Sequence, residues 1–349
     1  MTENTLGDLV KSVVAVDGVA AEQARQRHTG LAKPPGSLGW LEELGARLAG
    51  ISGRCPPPVP SAPAVVVAAA DHGVHAQGIS DWPQSVTEAM LATIASGGAA
   101  VNAIAGSVGA EVTIVDVGTA RTGPVPDGVH DERVRAGTRD LTVEAAMTVD
   151  ECAAAVETGA RVASARLDAG ADVLVTGEVG IANTTATACL LSAFADVDPE
   201  TVTGKGANTD HTRTPRKVEV VRTALARHGD ERDPLRTLAS LGGLEHAAMV
   251  GVALAGAAGR VPVIVDGVVA GAAAVAAVAL CPDVAGYLIP GHSSAEPGGH
   301  TLARRLGHPA LVDLDLRLGE GTGALLAVPT VTAAAAVLAR MATLDSVLG

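Results

Sequence analysis

Six short runs of mostly β-branched residues, each closing on glycine beside a polar or acidic residue, set the frame of this sequence. They are AVVVAAADHG (64–73), EVTIVDVG (111–118), ADVLVTGEVG (171–180), VPVIVDG (261–267), VAGYLIPGHSS (284–294) and ALVDLDLRLGEGTG (310–323). Most are continuously apolar, the pattern of strands covered on both faces. Helix-like stretches lie between them, at 85–106, 150–169, 183–196 and 243–258. Strands alternating with helices predict an α/β fold: a parallel sheet with helices on both faces.

The two ends of the chain read differently. The first 50 residues look mainly helical, with Leu38, Leu41, Leu44 and Leu48 in a helical run, and the last 25 look like one or two apolar helices. Neither end supplies an obvious strand. The expectation is a small helical domain built from residues 1–60 with 325–349, beside a large α/β domain over 61–324. CPPPVPSAP (55–63) reads as the connector into the first strand. The polar stretch 204–240 reads as an excursion, helical in part from Pro215.

Composition excludes several functions. The net charge is −13 and there is no Lys/Arg run, so nucleic acid is not an expected partner. Cys55, Cys152, Cys189 and Cys281 form no CxxC, so neither a disulfide framework nor a zinc ribbon is expected. Isolated cysteines fit a reducing cytoplasm. MTENTLGDLV is acidic and has no apolar core, so no signal peptide is expected. The apolar stretch from Val261 to Leu280 is interrupted by Asp266 and Gly267, and reads as a strand and a buried helix, not a membrane span. Aromatic residues are scarce (Trp40, Trp82, Phe194, Tyr287), which leaves Ala, Val, Leu and Ile to fill the core.

Ligands bind beyond the carboxyl ends of strands in open parallel sheets. Those ends carry Asp71-His72-Gly73, Asp116-Val117-Gly118, Gly177-Glu178, Asp266-Gly267, Gly291-His292-Ser293-Ser294 and Gly319-Glu320-Gly321-Thr322-Gly323. Glu320 stands between glycines just before a helix. It reads either as a cap beside a glycine turn or as a base on a ligand held by the helix N-terminus. Glu178 has the same setting, with Asn183 or Thr184 placed to cap a helix. If the two glutamates meet, one raised pKa suits a general base near neutrality. Lys205, Arg213, Arg216 and Lys217 could serve an anionic ligand or form a solvated helix face. Lys33 is a further candidate cation. His72, His75, Glu178, His246 and His292 could support a metal-dependent hydrolase, the alternative reading. No HExxH and no second tight cluster supports a metal site. P-loop, GxGxxG and GxSxG signatures are also missing.

Taken in order, KPPGSLGWLEELG (33–45), AADHGVHAQGISDWPQSVTEAM (69–90), GEVGIANTTATA (177–188), GKGANTD (204–210), RKVEVV (216–221), PGHSSAEPGGH (290–300) and LRLGEGTGA (316–324) carry a family resemblance. The chain resembles the nicotinate-nucleotide:dimethylbenzimidazole phosphoribosyltransferases over about residues 31–330. The resemblance implies a six-stranded parallel Rossmann-like sheet with a small helical domain, and a cytoplasmic homodimer. It implies a reaction in cobalamin nucleotide assembly: nicotinate mononucleotide plus 5,6-dimethylbenzimidazole gives α-ribazole 5′-phosphate plus nicotinate. No metal and no cofactor is implied. Glu320 matches the family's general base. Substrate contacts are expected from Glu178, Gly180, Asn183, Thr184, Lys217, His292, Ser293 and Ser294. The loop around the base adds Leu318, Gly319, Gly321, Thr322 and Gly323. Ser80, Gln84 and Glu88 match the benzimidazole segment, with Val86 beside them. Two positions depart from the family pattern: Ala182 stands where Gly is common, and Ala89, after Glu88, where Gln is common.

Overall fold

Parallel strands cannot be joined by tight turns, so each crossover must carry a helix or a long loop. A computed structural model describes residues 5–349. Three helices come first: α1 (Leu6–Ser12), α2 (Gly18–Thr29) and α3 (Trp40–Ser52). Strand β1 (Pro63–Ala70) follows, buried along its whole length. Then come α4 (Ser85–Ala95), α5 (Ala100–Val108), β2 (Glu111–Gly118) and the short β3 (His130–Asp131). Helix α6 (Val149–Asp168) leads to β4 (Val173–Val179) and α7 (Asn183–Ala195). The excursion holds α8 (Pro199–Val202), α9 (Thr214–His228) and α10 (Pro234–Leu241). The chain continues through α11 (Leu244–Ala258), β5 (Val263–Val265), α12 (Val268–Leu280) and β6 (Leu288–Pro290). It ends with α13 (Thr301–Leu306), α14 (Thr322–Arg340) and α15 (Leu344–Leu348).

The sheet has six strands in the order β3-β2-β1-β4-β5-β6, all parallel. The winding reverses between β1 and β4, which opens a crevice at their carboxyl ends. β1 and β4 pair from Pro63↔Val173 to Ala69↔Val179, so Glu178 lies opposite Ala68 near the end of the ladder, and Asp71 follows just beyond it. The apolar stretch Val261–Leu280 becomes β5 and α12, both buried.

Three sequence expectations are corrected. The run 310–323 forms no strand; its one ladder contact is the isolated bridge His292↔Val312. Its alternating leucines resemble a strand, but Leu314 and Leu318 are 61% and 59% exposed, so no second sheet face covers them. The sixth strand is instead β3, two exposed residues without apolar signal at the sheet edge. The single helix expected over 85–106 is two, broken at Ser96-Gly97-Gly98-Ala99, where Gly97 takes φ +83°.

Helices α2, α3 and α14 lie against one another around a small cluster of Ala24, Ala46, Ala49 and Leu338. A β-carbon at Gly45 would come 2.9 Å from Leu338, so this close approach needs the glycine. α1 does not join them; it lies on α6 and α11, and the Leu6 N–H donates to Glu157 Oε1 at 2.8 Å. The stretches Ser85–Val108 and Thr322–Arg340 are long and apolar enough to cross a membrane by length and composition. The first is broken in the middle, and the second packs on α3, α5 and the sheet strands β4 and β5.

Candidate active site

A cavity of about 610 Å³ opens over the carboxyl ends of β4 and β5. Glu178, at the end of β4, and Glu320, in the loop before α14, both line it. Their loops are tied directly: the Glu320 N–H donates to the Glu178 carbonyl at 3.1 Å. The two glutamates therefore share one site, which sequence could not establish.

Three consecutive left-handed residues shape the Glu320 loop: Gly319 (φ +87°), Glu320 (φ +61°) and Gly321 (φ +85°). Glycine accepts this conformation freely, but Glu320 carries strain of about 1–2 kcal/mol. Asp266, at the end of β5, holds the loop. It accepts from the Gly321 N–H at 3.2 Å and the Ala324 N–H at 2.9 Å. The strain aims the Glu320 side chain into the cavity, where it is 5% exposed. There Glu320 Oε2 accepts from the Val101 N–H, in the first turn of α5, at 3.3 Å. Burial raises the Glu320 pKa above the usual carboxylate range; the Val101 N–H opposes that shift and the charge of Asp266 adds to it.

Glu178 is more strongly affected. Burial, with Glu245 and Asp266 nearby, pushes it up to about 8, and the smaller effect of Glu320 acts in the same direction. The Asn183 side-chain amide donates to Glu178 Oε2 and opposes the shift. A carboxyl raised this far can keep its proton near neutrality and donate a hydrogen bond, and the Glu320 side chain faces the same cavity. Gly319 has no side chain for the same reason that Glu178 fits: a β-carbon there would collide with Glu178 Oε1.

One side of the cavity suits an anion. Helices α7 and α12 start there with no side-chain cap, and Asn183, Thr184, Val268 and Val269 line the wall. At α7 the Asn183 and Thr185 N–H groups already donate to the Gly180 and Ala182 carbonyls, at 3.3 and 3.2 Å, so the start of α12 is the better placed to meet negative charge. Lys217 is 2% exposed and donates to Thr184 Oγ1 at 2.9 Å and to the Gly204 carbonyl at 2.8 Å. Burial lowers its pKa to about 8, against the pull of Glu296. Trp82, Val86, Met90, Ile181, Leu316 and Leu318 give the cavity an apolar lining as well.

Of the residues expected from sequence, Gly180, Asn183, Thr184, His292, Ser294, Leu318 and Gly319 line this cavity with the two glutamates. Lys217 acts through Thr184 instead of lining the wall. Ser293 lines a smaller adjoining cavity of about 240 Å³, and His292 lies between the two. Gly321, Thr322 and Gly323 support the loop without lining the cavity. The Thr322 hydroxyl donates to the Gly319 carbonyl at 2.8 Å, and Gly323 packs against the His292 ring. Ser80, Gln84 and Glu88 do not line the cavity. Ser80 Oγ accepts from the Trp82 N–H at 3.1 Å, and the Gln84 amide donates to the His72 carbonyl at 3.0 Å. Glu88 projects toward Gly123. A helix shows the cavity only one of its faces, and on α4 that face carries Val86, Thr87 and Met90.

The basic cluster disperses. Arg213 pairs with Asp81 at 2.5 Å, Arg216 donates to the Gln77 side chain at 3.0 Å, and Lys205 turns to the Thr209 carbonyl. Lys33 pairs with Glu42 at 2.7 Å. The hydrolase reading finds no support at this cavity, although His72 and His246 do come together with Glu245. His72 and His246 are wholly buried and hydrogen-bonded elsewhere, and His75 Nε2 lies 2.9 Å from the Trp82 carbonyl. Of its five residues, Glu178 and His292 alone line the cavity. Sequence reasoning missed Gly206, Glu296, Asp315 and Arg317. Glu296 lies in PGHSSAEPGGH, where its charge between Ala and Pro was the available signal.

A phosphoribosyltransferase family model (DBI_PRT) matches residues 13–347. A nicotinate-nucleotide–dimethylbenzimidazole phosphoribosyltransferase of Salinispora tropica is 53% identical over 346 residues, covering 95% of each chain. The protein of that name from Chloroflexus aggregans is 44% identical over 339 residues, covering 97% of this chain and 96% of its own. A crystal structure under the same enzyme name from Thermus thermophilus superposes with a TM-score of 0.90 at 41% identity. It covers 95% of this chain and 98% of its own.

Proposed function

The chain belongs to the nicotinate-nucleotide–dimethylbenzimidazole phosphoribosyltransferase family, and from that membership we infer that it is a pentosyltransferase. It moves the phosphoribosyl group of nicotinate mononucleotide to 5,6-dimethylbenzimidazole, releasing nicotinate and forming α-ribazole 5′-phosphate for cobalamin assembly.

The observation that supports the reading is that Glu320 and Glu178 line one cavity with a helix N-terminus and apolar side chains. The phosphate is assigned to the N–H groups that open α12, with Thr184 and the Lys217 it meets nearby. The flat base is assigned to the wall of Val86, Met90 and Leu318. Nicotinate leaves as a neutral ring, so the glycosidic carbon needs little further activation. The incoming benzimidazole attacks that carbon through one nitrogen and loses the proton from the other. Glu320, desolvated and aimed by its loop, takes that proton, a contribution of about 10²–10⁴ in rate. Holding two rings in line supplies much of the remainder. Attack on the face opposite nicotinate converts a β-glycoside to an α-glycoside.

The proposal includes a homodimer and a cytoplasmic location; light scattering of the purified protein tests the first. Incubation of chelator-treated protein with both substrates, followed by chromatography, tests the activity. A benzimidazole ribotide appearing with equimolar nicotinate supports the reading. No ribotide, with activity appearing only on addition of metal, would sink it.

A further inference from the structure

Beneath the cavity, and outside it, lies a buried set of polar side chains that the reaction does not use. His72 follows β1; Glu245 and His246 open α11; all three are 0% exposed. His72 Nε2 and Glu245 Oε1 are 2.8 Å apart, and His246 Nδ1 lies 2.7 Å from the same oxygen. Burial opposes charge on both partners. The attraction wins: the His72 pKa is raised and that of Glu245 is depressed. His246 Nε2 lies 3.0 Å from Thr187 Oγ1, and the Thr187 hydroxyl donates to the Asn183 carbonyl at 3.0 Å. With the hydroxyl proton committed there, Nε2–H of His246 is the donor to Thr187.

Asn183 is the first residue of α7, and its side chain holds Glu178. The next residue, Thr184, holds Lys217. Yet this helix start is intrinsically poor. Ala182 precedes it at φ +76°, a conformation costing about 1 kcal/mol or more for a residue with a β-carbon. No side chain caps it. Such a turn persists only where its surroundings impose it. A second arm reaches it from the same strand end: the Ile181 N–H donates to Thr87 Oγ1 at 3.1 Å, and the Thr87 hydroxyl donates to Asp71 at 2.8 Å.

We propose that His72, Glu245, His246 and Thr187 are positioning residues that clamp the strained start of α7 and thereby set Asn183 on Glu178 and Thr184 on Lys217. The role rests on the transferase reading; the clamp itself does not. An ion pair this deep adds little net stability compared with apolar side chains of similar volume, which fits a role in geometry.

Thr187 is the point to cut, because valine keeps its shape and removes the hydroxyl. In Thr187→Val, kcat falls about tenfold while KM for the benzimidazole changes less than about twofold, and Thr187→Ser restores kcat to within about threefold. Amide exchange over residues 181–187 speeds up in the valine variant and recovers in the serine variant. That readout needs no turnover, so it stands even if the wild-type protein makes no ribotide. Should the valine variant not accumulate, Thr187→Ala carries the same comparison, with room for water to meet His246. A folded Thr187→Val or Thr187→Ala protein with unchanged kcat and unchanged exchange overturns the clamp, as does failure of serine to restore either. Stoichiometric metal in the wild-type protein that is lost in His72→Asn would put an ion in place of these hydrogen bonds, and would also overturn it.

Discussion

The catalytic edge of the sheet and the helical layer of α2, α3 and α14 solve opposite problems. At the edge, Glu178, Glu245, Asp266 and Glu320 are all buried, and Ala182 and Glu320 sit in the left-handed region. In the helical layer, Asp17 caps α2 through the Val19 and Ala20 N–H groups, and Arg25 meets Glu43 at the surface. The buried contacts there are made by Ala24, Ala46, Ala49 and Leu338. One region holds charge where water is excluded; the other follows ordinary rules of caps and close contact between small side chains. Substitutions at the edge should therefore change rate more than stability, and substitutions in the helical layer should do the reverse.

The largest effect that sharpens this contrast is on rate. Glu320→Gln should lower kcat by about 10²–10⁴ with a melting temperature at or above that of the parent. Steady-state kinetics and a thermal melt check both halves, and a large loss of stability would break the comparison. On the other side, Leu338→Ala should cost about 2–5 kcal/mol in a denaturant titration, with turnover per folded molecule retained. Lys217→Met should raise KM for nicotinate mononucleotide about tenfold and leave KM for the benzimidazole nearly unchanged.

The pH dependence of stability separates two kinds of buried acid by sign. Glu178, raised to about 8, holds a proton when folded that the unfolded chain releases near 4.5. Its contribution is full below 4.5 and is lost as pH rises through 8. Glu151, beside Arg135 and Arg139 and away from the cavity, is lowered to about 2 despite partial burial. Its contribution is full above 4.5 and is lost as pH falls toward 2. Denaturant titrations from about pH 2 to about pH 9 should show Glu178→Gln flattening the alkaline fall, while Glu151→Gln flattens the acid one. The smallest effect belongs to the surface: Arg25→Ala should shift stability by no more than about 0.5 kcal/mol.

Much of the fold was legible because burial leaves a compositional trace. β1, β2 and β4 are continuous apolar runs, and GEVGIANTT and GEGTG mark their chemistry with glycines. The family motifs placed Glu320 and Glu178 before any contact between them could be seen. Other features left no trace. β3 is two polar residues that pair only because Val115 and Asp116 lie beside them. The run 310–323 has strand-like alternation but lacks a covering layer, so it borders the cavity as an irregular loop, with Asp315 at φ +54°, and contributes Asp315 to Glu320 to its wall. Glu245 and His246 sit in a helix that otherwise reads as core, and their partners come from residues 173 and 59 positions away. Ala182 shows the same limit in another form: its departure from the family pattern is visible in sequence, but the positive φ it tolerates is not.

The central claim is that Glu320 removes the proton from the attacking base. The most direct measurement compares single-turnover rates of the parent and Glu320→Gln proteins with 5,6-dimethylbenzimidazole and with its N1-methyl derivative, which has no N–H proton to lose. The account predicts a gap of about 100-fold or more with the first acceptor and a gap near unity with the second. An equal gap with both acceptors, or none with either, would contradict it.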